Sequence, residues 1–389
     1  MAKRLICLLV ALTLLSLSLP CSYGEEERTL VLVITSDLHF TLRQGVSIMP
    51  LIDRSEDLAN TLADEVIALH PDAFVLCGDN TNSGRQTDAE ALSAILQRIR
   101  ESGVPVLVVP GNHDFDVGTA EEFFAQYGAL CEPEERDAAS LSFMLRIPPL
   151  RLLLMDDSSY MPGSGGKLRE ETMDWLEKQL SSARENGETV LFFSHHNVLP
   201  GGESAVQNAY MIQNPKLRDL LLSNGVRLCL SGHRHSQEVL SHGEMYEIIS
   251  AAPAASPHLL GVLTLEGGTM RYEARPIDFS AFGAGYGLGD LPESERFQEE
   301  HYRAMLCESS SFPHYDEATQ NRVLALFQRF LTCYGNGALL EVREEILSDP
   351  AYEAFRDVFS TTNYGLWMEA LLHSDALPGN RLELSISRD

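Results

Sequence analysis

LVLVITSDLH, residues 30–39, is a run of leucine and β-branched side chains that breaks off into a serine, an acid and a histidine. A run so uniformly apolar suits a strand buried on both faces. Its polar ending then falls at the C-terminal end of that strand. The arrangement recurs along the chain. Ala73–Cys77 leads into Gly78-Asp79-Asn80, and Val106–Val109 leads into Gly111-Asn112-His113-Asp114. Thr189–Phe193 leads into Ser194-His195-His196-Asn197, and 226–230 into Gly232-His233-Arg234-His235. A further apolar strand is expected at 151–155.

Helical patterns fall between these strands. Leu58, Leu62, Val66 and Leu69 mark one over 57–69. Thr87 with Glu90 reads as a capping box before a helix at 91–99, and Thr119 with Glu122 as another. Pro215 opens a helix to 222. Strands alternating with helices predict an α/β sandwich with a mixed sheet. The carboxyl ends of such strands form one rim, where ligands bind. Segments distant in sequence therefore converge there.

What converges is a donor set: Asp37, Asp79, the Asn112 carbonyl, His39, His195, His233 and His235. Residues two apart on an extended segment face the same way, which pairs Asp37 with His39 and His233 with His235. Glycines 78, 111 and 232 let the backbone turn tightly beside the site. Mixed oxygen and nitrogen donors without a thiolate suit Mn, Fe or Zn. Seven donors exceed one tetrahedral zinc. With one bridging carboxylate they fill two metals, and a pair ~3.5–4 Å apart suits in-line phosphoryl displacement.

The ordered series D-x-H, GD, GNHD, a later His and GHxH resembles the calcineurin-like metallophosphoesterase family, over about residues 29–277. The resemblance implies a four-layer α/β/β/α sandwich with mixed sheets. It also implies that Asp37, His39 and His235 hold one metal, that Asn112, His195 and His233 hold the other, and that Asp79 bridges. His113 would contact the phosphoryl group and assist the leaving oxygen, with Asp114 orienting it. A metal-bridging hydroxide would attack. In the doublet, His195 would ligate and His196 would stand behind it or face the substrate. Asn82 occupies the position where purple acid phosphatases carry a tyrosine ligand, which argues against that subgroup's iron site.

The 389 residues carry 29 Lys and Arg against 56 Asp and Glu, a formal charge of −27. Such a surface repels phosphate backbones, so no nucleic-acid polymer is expected as partner. A small phosphorylated substrate held by metal is compatible with it. Lys3 and Arg4 precede a mostly apolar stretch over 5–19, closed by Pro20 and by small residues at 22 and 24. Residues 1–24 thus read as a secretory signal, making the protein exported, whether extracellular, periplasmic or held at the cell envelope. Lipid anchoring at Cys21 is the lesser reading, because Pro20 stands where a lipobox prefers a small residue. The five cysteines beyond that segment are too few and too scattered for a disulfide scaffold, and a Cys307–Cys333 bridge stays open.

Four glycines between 283 and 289 predict a linker at 278–290, followed by a helical C-terminal domain at 291–389 and hence an all-α tail. Val323, Leu326, Phe327, Phe330 and Leu331 carry its apolar stripe. Arg43 and Arg85 read as surface more readily than as phosphate contacts, and 200–202 as a lid. The function expected is an exported dinuclear-metal-dependent phosphoesterase acting on a monoester or diester. The alternative is a cell-envelope binding protein with a structural metal site and a functional helical tail.

Overall fold

The structure, a computed structural model, describes residues 28–45, 49, 51–163, 165–200, 211–290, 303, 306–307, 311–359, 368–369, 371–372 and 379–386. The segment read as a secretory signal and the glycines of the expected lid lie outside the described residues.

The strands are β1 (Leu30–Thr35), β2 (Ala73–Cys77), β3 (Val106–Val109), β4 (Glu135–Arg136), β5 (Phe143–Ile147), β6 (Leu150–Leu154) and β7 (Thr189–Phe193). They continue as β8 (Leu228–Ser231), β9 (Glu238–His242), β10 (Met245–Ile249), β11 (Leu259–Glu266), β12 (Thr269–Pro276) and β13 (Arg381–Ser385). The helices are α1 (Ser55–Leu69), α2 (Gln86–Glu101), α3 (Ala120–Tyr127), α4 (Glu170–Asn186), α5 (Leu217–Ser223) and α6 (Phe279–Phe282). In the tail follow α7 (Glu317–Gly335), α8 (Leu339–Leu347) and α9 (Tyr352–Phe359).

Two mixed sheets result, in the orders β13-β12-β11-β1-β2-β3 and β4-β5-β6-β7-β8-β10-β9. β1, β2 and β3 run parallel, as do β6, β7, β8 and β10. The second sheet divides its side chains by parity. Leu152, Leu154, Leu191, Phe193, Leu228 and Leu230 join the core of the first sheet and of α1 and α2. Leu153, Phe192 and Cys229 pack instead with Trp175, Leu176 and Leu180 of α4. That parity is the period-two alternation of a strand buried on both faces. The layers are therefore helix, sheet, sheet, helix, as the family resemblance implies. Parallel pairing brings the C-terminal ends of β1, β2 and β3 to one rim, and those of β7 and β8 to the rim facing it.

Three expectations need correction. The Thr87–Glu90 capping box does not form, because α2 begins earlier, with Arg85 as its cap residue. Thr119 and Glu122 do form theirs. The glycine-rich stretch is folded onto the catalytic unit and is no free linker: Tyr286 donates to Asp64 (2.8 Å), Arg54 donates to the Tyr286 carbonyl (2.9 Å), and Leu288 is fully buried. The tail is also not all helical. Its aromatic core of Phe327, Phe330, Phe355 and Phe359 is as the stripe predicts. Beyond it, however, Arg381–Ser385 pairs antiparallel with β12. Leu382 and Leu384 pack on the core while Arg381 and Glu383 pair with Glu273 and Arg271 across the strands, at 2.7 and 3.0 Å. Period-two alternation there outweighs the helical context.

The five cysteines among the described residues, including Cys307 and Cys333, are free. No helix of the described residues is long and apolar enough to cross a membrane.

Candidate metal centre

The loops past the strand ends are stitched together by backbone bonds. Asp37 N donates to Gly78 O (2.9 Å), His39 N to Asp79 O (2.9 Å) and Gly232 N to His195 O (3.0 Å). Asp37, His39, Asp79, His233 and His235 all sit in the left-handed region, with φ between +45° and +68°. The loops are thus not extended, and the two-apart pairing expected of Asp37 with His39 rests on the wrong local geometry. Each such residue costs ~1–3 kcal/mol and persists only where its surroundings hold it. Two glycines permit the crowding. Gly78 has φ +93°, and a Cβ there would fall 2.4 Å from His195 Nδ1. A Cβ on Gly111 would fall 2.1 Å from the backbone nitrogen of Asp79.

All seven expected donors are brought together. One atom each from Asp37, His39, Asp79 and His235 lies within 4.8 Å of the others. His39 Nε2 and His235 Nε2 face each other at 2.9 Å. Beside this group, His195 Nε2 lies 3.1 Å from Asn112 Oδ1 and 3.2 Å from His233 Nδ1. His195 Nδ1 donates to the Cys77 carbonyl (2.9 Å), which leaves Nε2 as its ligating atom. Asp79 stands between the two groups. Its Oδ1 accepts from His113 N (2.8 Å), whereas Oδ2 is buried without a hydrogen-bond partner. That oxygen lies 3.6 Å from His39 Nε2 and 3.3 Å from His195 Nε2.

Electrostatics point the same way. Burial pushes the Asp79 carboxyl up, but His195 and His39 beside it hold it well below the usual range. Burial likewise works against charge on His195, yet Asp79 overrides it and drives the ring up to about 10. Burial lowers His39 and His233. An ionised carboxylate whose neighbour clings to a proton is a site that wants a cation. Facing ring nitrogens and an orphaned carboxylate oxygen fit two divalent ions, with Asp79 Oδ2 placed between the two groups.

His113 lies at the mouth, its side chain 38% exposed and its ring 5.0 Å from that of His39. The residue that holds it is Asp116, at 2.8 Å from Nδ1, and not Asp114. The reason is geometric: 113–115 form a 3₁₀ turn, in which residues three apart eclipse. Asp114 turns inward instead. It accepts from Asn80 N and Nδ2, Thr81 N and Oγ1, and Gly111 N, at 2.8–3.2 Å. Asp114→Ala leaves those donors unmatched in a buried place, so we expect a loss of ~3–5 kcal/mol in unfolding free energy by urea titration. A loss under 1 kcal/mol would show that Asp114 does not hold the loops.

His196 is fully buried behind the donor groups' loops, with both ring nitrogens engaged. Its Nδ1 meets Asp157 Oδ1 (2.9 Å) and its Nε2 the Gly163 carbonyl (3.2 Å), although it stands close to His195 and His233. Asp157 is the supporting residue missed from sequence; it also accepts from the backbone nitrogens of His195 and His196. The available signal was the acidic pair Asp156-Asp157 that follows β6, on the same rim. Arg43 and Arg85 are solvent-exposed.

A buried acid bridging two histidine groups at the rim of a two-sheet sandwich is the architecture of a dinuclear metal centre. The calcineurin-like phosphoesterase family model matches residues 30–237, and the chain belongs to that family. It is 31% identical over 177 residues to the glycerophosphodiester phosphodiesterase GpdQ of Enterobacter lignolyticus, covering 45% of this chain and 59% of that protein. It is 28% identical to a probable cyclic nucleotide phosphodiesterase of Rhodococcus erythropolis, covering 52% and 64%. The chain thus spans under two thirds of these relatives' length. A dimetal phosphatase from Danio rerio shares the fold at TM-score 0.51 and 16% identity, covering 64% of this chain and 96% of that one.

Proposed function

We propose that this protein is an exported, dinuclear-metal-dependent phosphoric ester hydrolase acting on a small phosphodiester or phosphomonoester. The observation that carries the reading is the unpartnered Asp79 Oδ2 set between two donor groups. Two divalent ions there would supply positive charge for the phosphoryl oxygens and a bridging hydroxide as the attacking group. The protein's own part is to hold and orient. Asp37, His39 and His235 would hold one ion, Asn112, His195 and His233 the other, and Asp79 both. His113, fixed through Nδ1 by Asp116, offers Nε2 to the phosphoryl group and, as imidazolium, hands a proton to the leaving alkoxide. The names of the relatives favour the diester over the monoester. Export is supported by the charged and apolar pattern of residues 1–24, which is also compatible with retention at the cell envelope.

The test is hydrolysis of bis(p-nitrophenyl) phosphate and p-nitrophenyl phosphate. The metal-stripped protein is expected to be idle on both and to regain turnover with Mn²⁺, faster on the diester. Fully loaded protein that turns over neither ester sinks the proposal and leaves the binding-protein alternative.

A further inference from the structure

The family match ends at Gln237, and there the tail takes hold of the loop that carries two of the ligands. Gln237 N donates to Gly335 O (3.3 Å), and its side-chain amide donates to Gly379 O (3.0 Å). A Cβ on Gly379 would fall 2.5 Å from Gln237 O, so the two backbones touch. One residue on, Glu238 Oε1 accepts from Tyr334 of α7 (3.1 Å) and from Ser236 (2.5 Å), and pairs with Arg234 (3.2 Å). Arg234 lies between His233 and His235 in sequence, yet its side chain is only 6% exposed. Both histidines are in the strained left-handed region. Something must hold them there, and the contacts from Tyr334 and Gly335 come from α7, outside the catalytic sandwich.

We propose that Tyr334 is a positioning residue for His233 and His235, acting through Glu238 and Arg234, so that the tail sets the metal affinity of the centre. This rests on the metal-centre reading above. Partners that orient ligands from behind change metal affinity by ~10–100-fold when removed. Tyr334→Phe removes one hydroxyl and leaves the packing of α7 in place. Tyr352→Phe removes a hydroxyl from the same tail, where it donates to Glu369 (3.1 Å) away from the loop.

Mn²⁺ binding to the metal-stripped full chain is measured by calorimetry, and the Co²⁺ form by its visible absorption. Tyr334→Phe is expected to bind Mn²⁺ about tenfold more weakly and to alter the Co²⁺ band, with Tyr352→Phe matching wild type in both. Equal affinity in Tyr334→Phe and wild type, or an equal loss in both variants, overturns the inference. Should Tyr334→Phe fail to fold, Glu238→Gln reads the same link, and unchanged Mn²⁺ affinity there also overturns it. Wild type that takes up no Mn²⁺ overturns the metal-centre reading itself, and this inference with it.

Discussion

Asp79→Asn is expected to lose paired metal binding and turnover together. The substitution keeps size and shape but removes the one charge placed between the two donor groups. Of the two carboxylate oxygens, Oδ1 is already engaged by His113 N. In the variant an amide nitrogen takes the place of one oxygen, so either the His113 bond or the bridge fails. Unit charges 4 Å apart interact by about 4 kcal/mol at an effective dielectric near 20, and a divalent partner doubles that. Each 1.4 kcal/mol is about tenfold, so a loss beyond a thousandfold in affinity for the second ion follows. Metal content by plasma mass spectrometry, read beside diester turnover, checks it. Asp79→Asn that retains two ions per chain would remove the bridge from the mechanism.

His113→Ala is expected to keep both ions and lose about 100-fold or more in kcat, the scale of a positioned proton donor. His113 gives the centre its backbone nitrogen, which alanine retains, while its ring stands at the mouth. Asp116→Asn, which leaves the ring but weakens its anchor, should fall between His113→Ala and wild type. Asp114→Asn should act on stability and hardly on kcat. Equal metal loss in His113→Ala and Asp79→Asn would undo the separation of roles.

The fold, and the meeting of the seven side chains at one rim, were legible because each signal is local: a short apolar run and a polar cluster at its end. What escaped depends on geometry that sequence spacing does not carry. Asp116 pairs with His113 only because the turn there is 3₁₀, whereas sequence adjacency points to Asp114. Asp157 belongs to an acidic pair after a strand, without the histidine or glycine that marks the other five rim clusters. α4 is hard to read from sequence because its buried stripe, Trp175, Leu176, Leu180 and Ala183, runs among charged neighbours. The left-handed turns at Asp37, His39, Asp79, His233 and His235 were invisible, since aspartate and histidine occupy them where glycine would have signalled the bend.

β13 has a consequence for assembly. Its partner β12 ends at Pro276, and β13 begins only at Arg381. While the polypeptide is being made, the flank of β12 stays open until the distant strand arrives. Open flanks recruit strands from other molecules and seed aggregates. A fragment stopping after residue 277 would hold every donor yet be poorly soluble, and its insolubility would report a missing neighbour strand instead of a fault in the catalytic unit.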